Sequence, residues 1–168
     1  MSPPLAPPQR RALLSHPAGW IATALGAGLS PKAPGTVGSA VALLPWWFLL
    51  RGLPVAWYAA VLVVGFALGV WACGVAGKRL GVQDHGALVW DEVVAMWLTL
   101  LAAPRGWPWM VAGFALFRLF DIWKPWPVRW ADRRVHGGLG VMLDDVLAGL
   151  YALVVLQLAA LALFRWQG

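Results

Sequence analysis

The sequence is poor in charge, and in negative charge above all. Charged residues make up 12% of the chain and hydrophobic residues 61%, whereas soluble domains carry roughly 25% charged residues. Seven of the 168 residues are acidic, and the first of them is Asp84. This composition speaks against an ordinary soluble domain and is typical of a membrane protein.

Cysteine is almost absent as well, since Cys73 is the only one, and no intrachain disulfide can form. Cys73 and Arg79 have the Cys-x5-Arg spacing of cysteine phosphatases, but that loop needs a tight turn at a helix N-terminus and a reactive thiolate. Here the cysteine closes a hydrophobic helix, and Ala76 stands where glycine is expected. We interpret Cys73 as a buried helical residue. The chain also lacks an Asp-x-Asp pair, which speaks against an aspartyl nucleophile of the haloacid-dehalogenase type.

The basic residues give the chain a formal charge of +6. They flank apolar runs and form no solvated patch, so a nucleic-acid partner is not expected. Anionic lipid headgroups suit this charge better, and the 13 tryptophans fit the aromatic belts at membrane interfaces. We therefore expect membrane lipids as partners and no nucleic acid.

Five hydrophobic runs follow a short apolar stretch at 18–29, which predicts an interfacial or re-entrant helix. The runs cover residues 37–50, 55–77, 87–103, 109–123 and 139–164. The fold class predicted is all-α, a polytopic membrane bundle of about five hydrophobic helices with a polar site on its cytoplasmic side. We expect a flexible N-terminal tail at 1–17 and a single membrane-embedded domain at 18–168.

The basic residues also predict the orientation of the bundle. If the N-terminus is cytoplasmic and all five runs cross, nine Lys and Arg residues lie on the cytoplasmic side and three on the other. The nine are Arg10, Arg11, Lys32, Lys78, Arg79, Lys124, Arg129, Arg133 and Arg134, and the three are Arg51, Arg105 and Arg165. The same alternation brings the starts of the third and fifth runs and the end of the fourth to the cytoplasmic face.

Five carboxylates should meet at that face. They are Asp91, Glu92, Asp121, Asp144 and Asp145. Carboxylates brought together either protonate or take a cation, and Mg²⁺ prefers a few carboxylates with water and phosphate oxygens. The alternative is that these acids cap helix N-termini or pair with arginine. Asp121 fits the capping alternative badly, because it lies near a helix C-terminus, where the dipole disfavours an acid.

Several other polar residues are candidates for binding an anion or moving a proton. Arg118, Asp121 and Lys124 share one helical face by their spacing, and Asp121 could be either a metal ligand or the partner of Arg118. The loop at 28–38 is rich in Gly, Ser and Thr and could expose N–H groups to phosphate, although a plain loop explains it equally well. His85 and His136 lie in long loops and are either surface residues or general acids.

Four strings stand out among the polar residues. They are Ser30-Pro-Lys-Ala-Pro-Gly-Thr-Val-Gly-Ser39, Asp84-His-Gly-Ala-Leu-Val-Trp-Asp-Glu92, Phe117-Arg-Leu-Phe-Asp-Ile-Trp-Lys-Pro125 and Asp132-Arg-Arg-Val-His-Gly-Gly-Leu-Gly-Val-Met-Leu-Asp-Asp145. With these strings the sequence resembles the phosphatidylglycerophosphatase A family between about Gly28 and Gly149. The resemblance implies a Mg²⁺-dependent lipid phosphatase of the bacterial inner membrane, and the predicted topology makes it multi-pass with its active site facing the cytoplasm. It implies an anionic phospholipid substrate, phosphatidylglycerophosphate, converted to phosphatidylglycerol.

The family's polar motif positions fall here on Lys32, Thr36, Asp84, His85, Asp91, Glu92, Asp121, Lys124, His136, Asp144 and Asp145. Their roles are assigned by chemistry. The metal set is Asp91, Glu92, Asp121, Asp144 and Asp145. The phosphate-binding set is Lys32, Thr36, Arg118 and Lys124. The catalytic candidates are Asp84, His85 and His136. A metal-activated water and an aspartyl nucleophile both stay open.

A different class of protein remains as the alternative, a small non-enzymatic cation carrier or channel in the membrane. Conduction needs polar residues along a path across the bilayer. The half of each run away from the cytoplasmic end is almost wholly apolar. The sequence therefore favours the enzyme.

Overall fold

The computed structural model describes residues 3–82 and 84–167, and these residues form helices and loops with no strand. The eight α-helices are α1 (Pro7–Leu14), α2 (Pro17–Ala22), α3 (Pro34–Phe48), α4 (Val55–Leu80), α5 (Trp90–Thr99), α6 (Trp107–Trp123), α7 (Val128–Arg134) and α8 (Gly137–Gln167). Short 3-10 helices cover Ala27–Leu29 and Leu50–Gly52. The all-α fold class predicted from the sequence is confirmed.

Two of the described helices are long and apolar enough to cross a membrane. They are α4, with 26 residues, and the stretch Gly137–Arg165 of α8, with 29 residues. At 1.5 Å per residue these segments measure about 39 and 43 Å, which exceeds a hydrocarbon layer of about 30 Å. The outer faces of both helices expose large apolar side chains, such as Val63, Val64, Leu158 and Leu161. These faces are compatible with a membrane-associated protein.

The predicted bundle of about five membrane-crossing helices is not confirmed. Helices α3 and α6 have 15 and 17 residues, or about 22 and 26 Å, and fall short of the hydrocarbon thickness. The run at 87–103 shortens to the ten residues of α5. Residues Val93 to Trp97 and Thr99 of this helix are all buried. A helix that is apolar all round because it is enclosed by other helices has the same sequence signature as a membrane span.

Helix α5 is the centre of the bundle, and α3, α4, α6 and α8 surround it. One indole group and one phenol group connect α5 to its neighbours by hydrogen bonds. The Trp97 indole donates to the carbonyl of Ala42 in α3 at 3.0 Å. The Tyr58 hydroxyl of α4 donates to the carbonyl of Trp97 at 2.6 Å. These bonds satisfy polar groups that would be costly to bury without partners.

Helix directions bring the chemistry-bearing segments to one end of the bundle. Helices α5 and α8 run side by side in the same direction, with Ala95 beside Gly149 and Leu101 beside Gln157. Helix α6 runs the opposite way, since its Gly113 lies against Leu156, while its later residue Phe120 lies against the earlier Tyr151 of α8. The starts of α5 and α8 and the end of α6 therefore share one end, as the sequence predicts from alternating direction. We call it the acidic end.

Close contacts at glycine allow the helices to approach. A Cβ atom at Gly149 would lie 2.8 Å from the carbonyl oxygen of Ala95, so this position needs glycine for α5 and α8 to touch. A Cβ atom at Gly138 would collide with the carbonyl oxygen of Val70, so α4 and α8 also meet through glycine. Small residues at such contacts are typical of helix packing in membranes.

The N-terminal segment contains two short helices. Helix α1 lies in residues 3–17, the described part of the flexible tail predicted at 1–17. Its Leu13 is fully buried against α2 and α4. The first two residues of the predicted tail lie outside the described residues. The apolar stretch at 18–29 is not one helix. It breaks after α2 because Ala24, Leu25 and Gly26 all have positive φ angles.

The contact between α4 and α8 gives a stability prediction. Gly138→Ala places a methyl group against the Val70 carbonyl and should destabilise the protein by about 1–3 kcal/mol. The melting midpoint of purified protein in neutral detergent measures this loss. Gly74→Ala is the matched control, because its Cβ atom would lie at an ordinary 3.6 Å from the Gly138 nitrogen. Equal midpoints for the two variants would contradict the packing described.

Candidate active site

Three carboxylates form a compact cluster at the acidic end. Asp91 and Glu92 lie in the first turn of α5, and Asp145 comes from α8. One oxygen from each carboxylate lies within 4.8 Å of the other two. Asp91 and Asp145 are buried and Glu92 is half-buried. We call these residues the carboxylate triad, and oxygens at this spacing could hold a divalent cation.

The triad leaves negative charge without enough compensation. Burial raises the pKa of the Asp91 carboxyl well above its usual value, and the charge of Glu92 adds to the rise. Burial also raises the pKa of Glu92, with the charge of Asp145 next in importance. Among the described residues, Glu92 Oε2 and Asp145 Oδ2 are buried and accept no hydrogen bond. A cation would relieve both the repulsion and the missing bonds.

Arg118 lies on one side of the triad. Its Nη1 atom lies 2.8 Å from Asp121 Oδ2 and 3.9 Å from Glu92 Oε1. The same atom is 3.5 Å from the Ser39 hydroxyl. The Nε atom of Arg118 is buried and has no partner among the described residues. Asp121 therefore forms an ion pair with Arg118 and lies next to the triad. The sequence leaves open whether Asp121 is a metal ligand or the partner of Arg118, and the geometry favours the partner of Arg118.

Lys124 lies on the other side, within a second charged group. Its Nζ atom is 2.6 Å from Asp132 Oδ1 and 2.8 Å from Asp144 Oδ2. Partial burial alone would lower the pKa of Lys124, but Asp144 and then Asp132 raise it above its usual value. Lys124 is consequently held as a cation. Asp144 and Asp145 are consecutive on α8, so one faces Lys124 while the other faces the triad.

The start of α3 packs against the triad. A Cβ atom at Gly35, in the first turn of α3, would collide with Glu92 Oε1 and lie 3.4 Å from Arg118 Nη1, so a side chain here would displace the Glu92 carboxylate. Val37 makes the first hydrogen bond of α3, to the carbonyl of Ala33. The N–H groups of Gly35 and Thr36 precede that bond and are free of the helix ladder. Lys32 is exposed in the loop before α3.

The two candidate histidines lie in different surroundings. His85 lines a cavity of about 320 Å³ together with Ser30, in the loop before α3, and Pro34, the first residue of α3. Its Nδ1 atom accepts the N–H of Ala87 at 3.1 Å, so in the neutral ring Nε2 carries the proton. His136 is exposed and lines a smaller cavity, described next.

That smaller cavity brings Asp84 to the site. It has a volume of about 60 Å³ and is lined by Asp84, Asp132, His136 and Asp144. Nine of the twelve predicted residues therefore fall into three sets, and Lys32, Thr36 and His85 lie outside them. The triad holds Asp91, Glu92 and Asp145, Arg118 pairs with Asp121, and Lys124 joins Asp144 beside Asp84 and His136.

Asp132 and Ser39 are site residues that the sequence-based assignment omits. Asp132 belongs to the same string as His136 and Asp144, which is the signal that could have included it. Ser39 is a small polar residue at the start of an apolar run, and its hydroxyl donates to the Gly35 carbonyl at 2.8 Å. Nothing in the sequence alone links it to Arg118.

Cys73 lies far along α4 and is fully buried among the side chains of the α2 contact. It is a helical residue with no exposed turn around it. This is the placement that the sequence analysis favours over a cysteine nucleophile.

Known proteins resemble the chain over most of its length. The family model described as "Phosphatidylglycerophosphatase A" matches residues 20–160. A phosphatidylglycerophosphatase A of Escherichia coli strain K12 is 48% identical over 147 residues, which cover 87% of this chain and 85% of the relative. One from Haemophilus influenzae strain Rd is 41% identical over 149 residues, covering 88% and 91%.

A third relative carries a different name. It comes from Bacteroides thetaiotaomicron, has the provisional name phosphatidylinositol-3-phosphatase, and is 44% identical over 153 residues, covering 87% of this chain and 92% of the relative. No solved structure matches the chain significantly. The match of the family model and the two relatives of the same name agree with the four sequence strings. The chain belongs to the phosphatidylglycerophosphatase A family.

Proposed function

We propose that the protein hydrolyses the terminal phosphate monoester of phosphatidylglycerophosphate to give phosphatidylglycerol and phosphate, as a step of phospholipid biosynthesis. The observation that carries this proposal is the carboxylate triad with Arg118 on one side and Lys124 on the other. A carboxylate group flanked by cations suits a substrate with a phosphate dianion and a metal to neutralise it. The names of the Escherichia coli and Haemophilus influenzae relatives support the substrate.

Membership of this family makes the chain a phosphatase, and the carrier or channel alternative is set aside. One of the relatives supports a second lipid substrate. The Bacteroides relative is named for a phosphoinositide, which is also a phosphate monoester of an anionic lipid. Phosphatidylinositol 3-phosphate is therefore the second candidate substrate.

Mg²⁺ is the cofactor that we propose, and the triad would hold it. The triad offers only carboxylate oxygens as ligands, and hard cations prefer oxygen ligands. The buried oxygens Glu92 Oε2 and Asp145 Oδ2 accept no hydrogen bond from the described residues, so both are available as ligands. When bound, Mg²⁺ supplies charge neutralisation for the phosphate and lowers the pKa of water. Asp121 and Asp144 are also predicted as ligands. They lie next to the triad, where Asp121 pairs with Arg118 and Asp144 pairs with Lys124.

The phosphate oxygens would be held by groups that surround the triad. Arg118 offers its Nε–H, which has no partner among the described residues. The N–H groups of Gly35 and Thr36 add donors at the start of α3, where anions are favoured. Lys32 lies in the loop before α3 and Lys124 on the opposite side of the site. These donors would strengthen as negative charge moves onto the transferred phosphoryl oxygens.

The leaving glycerol oxygen needs a proton. His85 is the better donor of the two histidines, because its Nδ1 bond to Ala87 leaves a proton on Nε2. His136 beside Asp84 and Asp144 is the alternative. An attacking water and an aspartyl nucleophile both remain compatible with this arrangement. We further propose that the chain is a multi-pass protein of the bacterial inner membrane, with about five hydrophobic helices and the acidic end in the cytoplasm.

Activity on defined lipids tests the function directly. Phosphate release from phosphatidylglycerophosphate in mixed micelles should require Mg²⁺ and stop with a chelator. It should also exceed release from phosphatidylinositol 3-phosphate. Asp145→Asn should lower turnover by more than about a hundredfold, since even groups behind metal ligands often matter ten- to a hundredfold. Cys73→Ala is the control and should keep nearly full, chelator-sensitive activity. Chelator-resistant turnover that needs Cys73 would refute the proposal.

Asp121 gives a sharper test, because it separates metal binding from the positioning of Arg118. Asp121→Asn should lower turnover, because Arg118 loses the ion pair that positions it. The Mg²⁺ concentration for half-maximal rate should rise far less in this variant than in a partly active triad variant such as Asp91→Asn. The measurement is a Mg²⁺ titration of both variants. An equal rise in the two would place Asp121 among the metal ligands after all.

Orientation can be measured in intact cells. A single cysteine introduced at Val135 in a Cys73→Ala background lies between α7 and α8 at the acidic end. An impermeant thiol reagent applied outside the cells should leave it unlabelled, and labelling should appear once the inner membrane is opened. Strong labelling of intact cells would place the acidic end outside the cytoplasm.

A further inference from the structure

Helix α7 and the turn before it carry a surface of which the phosphatase chemistry above uses only Lys124. The surface is a groove of about 610 Å³. Trp123, Trp126 and Trp130 line it and are each more than half exposed. Arg129 and Arg133 line it as well. We call it the α7 groove.

The sequence of α7 gives it two unlike faces. Val128 and Ala131 are fully buried, and α7 packs against α8. Trp130, Arg129 and Arg133 point away from the core and are exposed. Large exposed aromatic groups mark a contact with another molecule or a membrane. Tryptophan beside arginine is typical of the headgroup level of a bilayer.

The groove is continuous with the active site. Lys124 lines the groove, and its ammonium group also contacts Asp144, next to the triad residue Asp145. The Tyr151 hydroxyl of α8 donates to the carbonyl of Trp126 at 2.8 Å. This bond fixes the groove beside the apolar outer face of α8, where Val154 and Leu158 are exposed.

We propose that the α7 groove is the subsite for the phosphodiester group of the lipid substrate, and this rests on the proposed function. The lining residues carry positive charge from Lys124, Arg129, Arg133 and Arg134, and none of them is acidic. A phosphodiester monoanion complements that charge, and the guanidinium fork suits phosphate oxygens.

This placement also orients the substrate. The acyl chains of the lipid lie along the apolar outer face of α8, and the tryptophans surround the glycerol backbone. The terminal phosphate monoester then extends past Lys124 towards the triad. A soluble phosphate monoester lacks the diester and the acyl chains, so the groove selects lipid substrates that carry a second phosphate.

Two measurements on the purified full chain in neutral detergent test the subsite, because detergent removes any general attraction to a charged bilayer. The first is steady-state kinetics with phosphatidylglycerophosphate. The second is native mass spectrometry of bound phosphatidylglycerol, which keeps the diester and lacks the monoester, against diacylglycerol of the same acyl chains, which lacks both. The test variant is Arg129→Ala with Arg133→Ala. The control, Arg105→Ala with Arg165→Ala, removes equal charge outside the groove.

The test variant should raise KM about tenfold with kcat within about twofold, and should lose its preference for phosphatidylglycerol by a similar factor. The control should keep both values. Arg129 also donates to the Trp123 carbonyl at 3.3 Å, so melting midpoints are compared, and the conservative variant Arg129→Lys with Arg133→Lys should restore much of the binding. Three results would overturn the subsite. They are an unchanged KM with unchanged lipid binding, a loss of affinity equal to that of the control variant, and a fall in kcat without a rise in KM.

Failure of the proposed function gives a different result. A parent enzyme that releases no phosphate from phosphatidylglycerophosphate refutes that function, whatever the groove does. The lipid-binding measurement then decides on the groove alone. Preferential binding of phosphatidylglycerol that depends on Arg129 and Arg133 supports it, and binding independent of them refutes it.

Discussion

Mutual repulsion among Asp91, Glu92 and Asp145 is the constraint around which the acidic end is built. Three carboxylate groups within 4.8 Å of one another, largely shielded from water, oppose folding unless a counter-charge is near. Arg118 supplies part of that charge at 3.9 Å from Glu92, but Asp121 already takes most of it at 2.8 Å. The protein keeps this arrangement although an apolar core would be more stable, which is the usual sign that binding or catalysis requires the residues.

Glycine makes this concentration of charge geometrically possible. Gly149 lets α8 approach α5 closely enough for Asp145 to reach the acids of α5. Gly35 leaves room for the Glu92 carboxylate beside the start of α3. A methyl group at Gly149 would push α8 away from the Ala95 carbonyl of α5, and one at Gly35 would displace the Glu92 carboxylate. Gly35 lies in the first string that resembles the family, so it has a packing reason beside any direct contact that its N–H group makes with phosphate.

The sequence predicts the helical class and the meeting of α5, α6 and α8 at one end, because these depend only on apolar runs and alternating direction. It also names all three triad residues, since a chain with seven acids leaves few alternatives. It does not predict which acids touch. Asp144 and Asp145 look equivalent in sequence, yet a rotation of about 100° between neighbouring helix residues sends one to Lys124 and the other to the triad. Whether the enclosed α5 crosses the membrane stays a prediction for a related reason, because burial by protein and burial by lipid select the same side chains.

The length of α8 is compatible with a charged site in so apolar a chain. The apolar stretch of 29 residues measures about 43 Å, so in the membrane placement that we propose it would extend about 13 Å beyond a hydrocarbon layer of about 30 Å. Asp144 and Asp145 lie about 11 Å along the axis from Gly137. If the extra length lies at the N-terminal end, both acids are at the boundary, where water and headgroups offset the cost of charge. The phosphate of a membrane lipid lies at the same depth, so the bilayer would bring the proposed substrate and the carboxylates to one level.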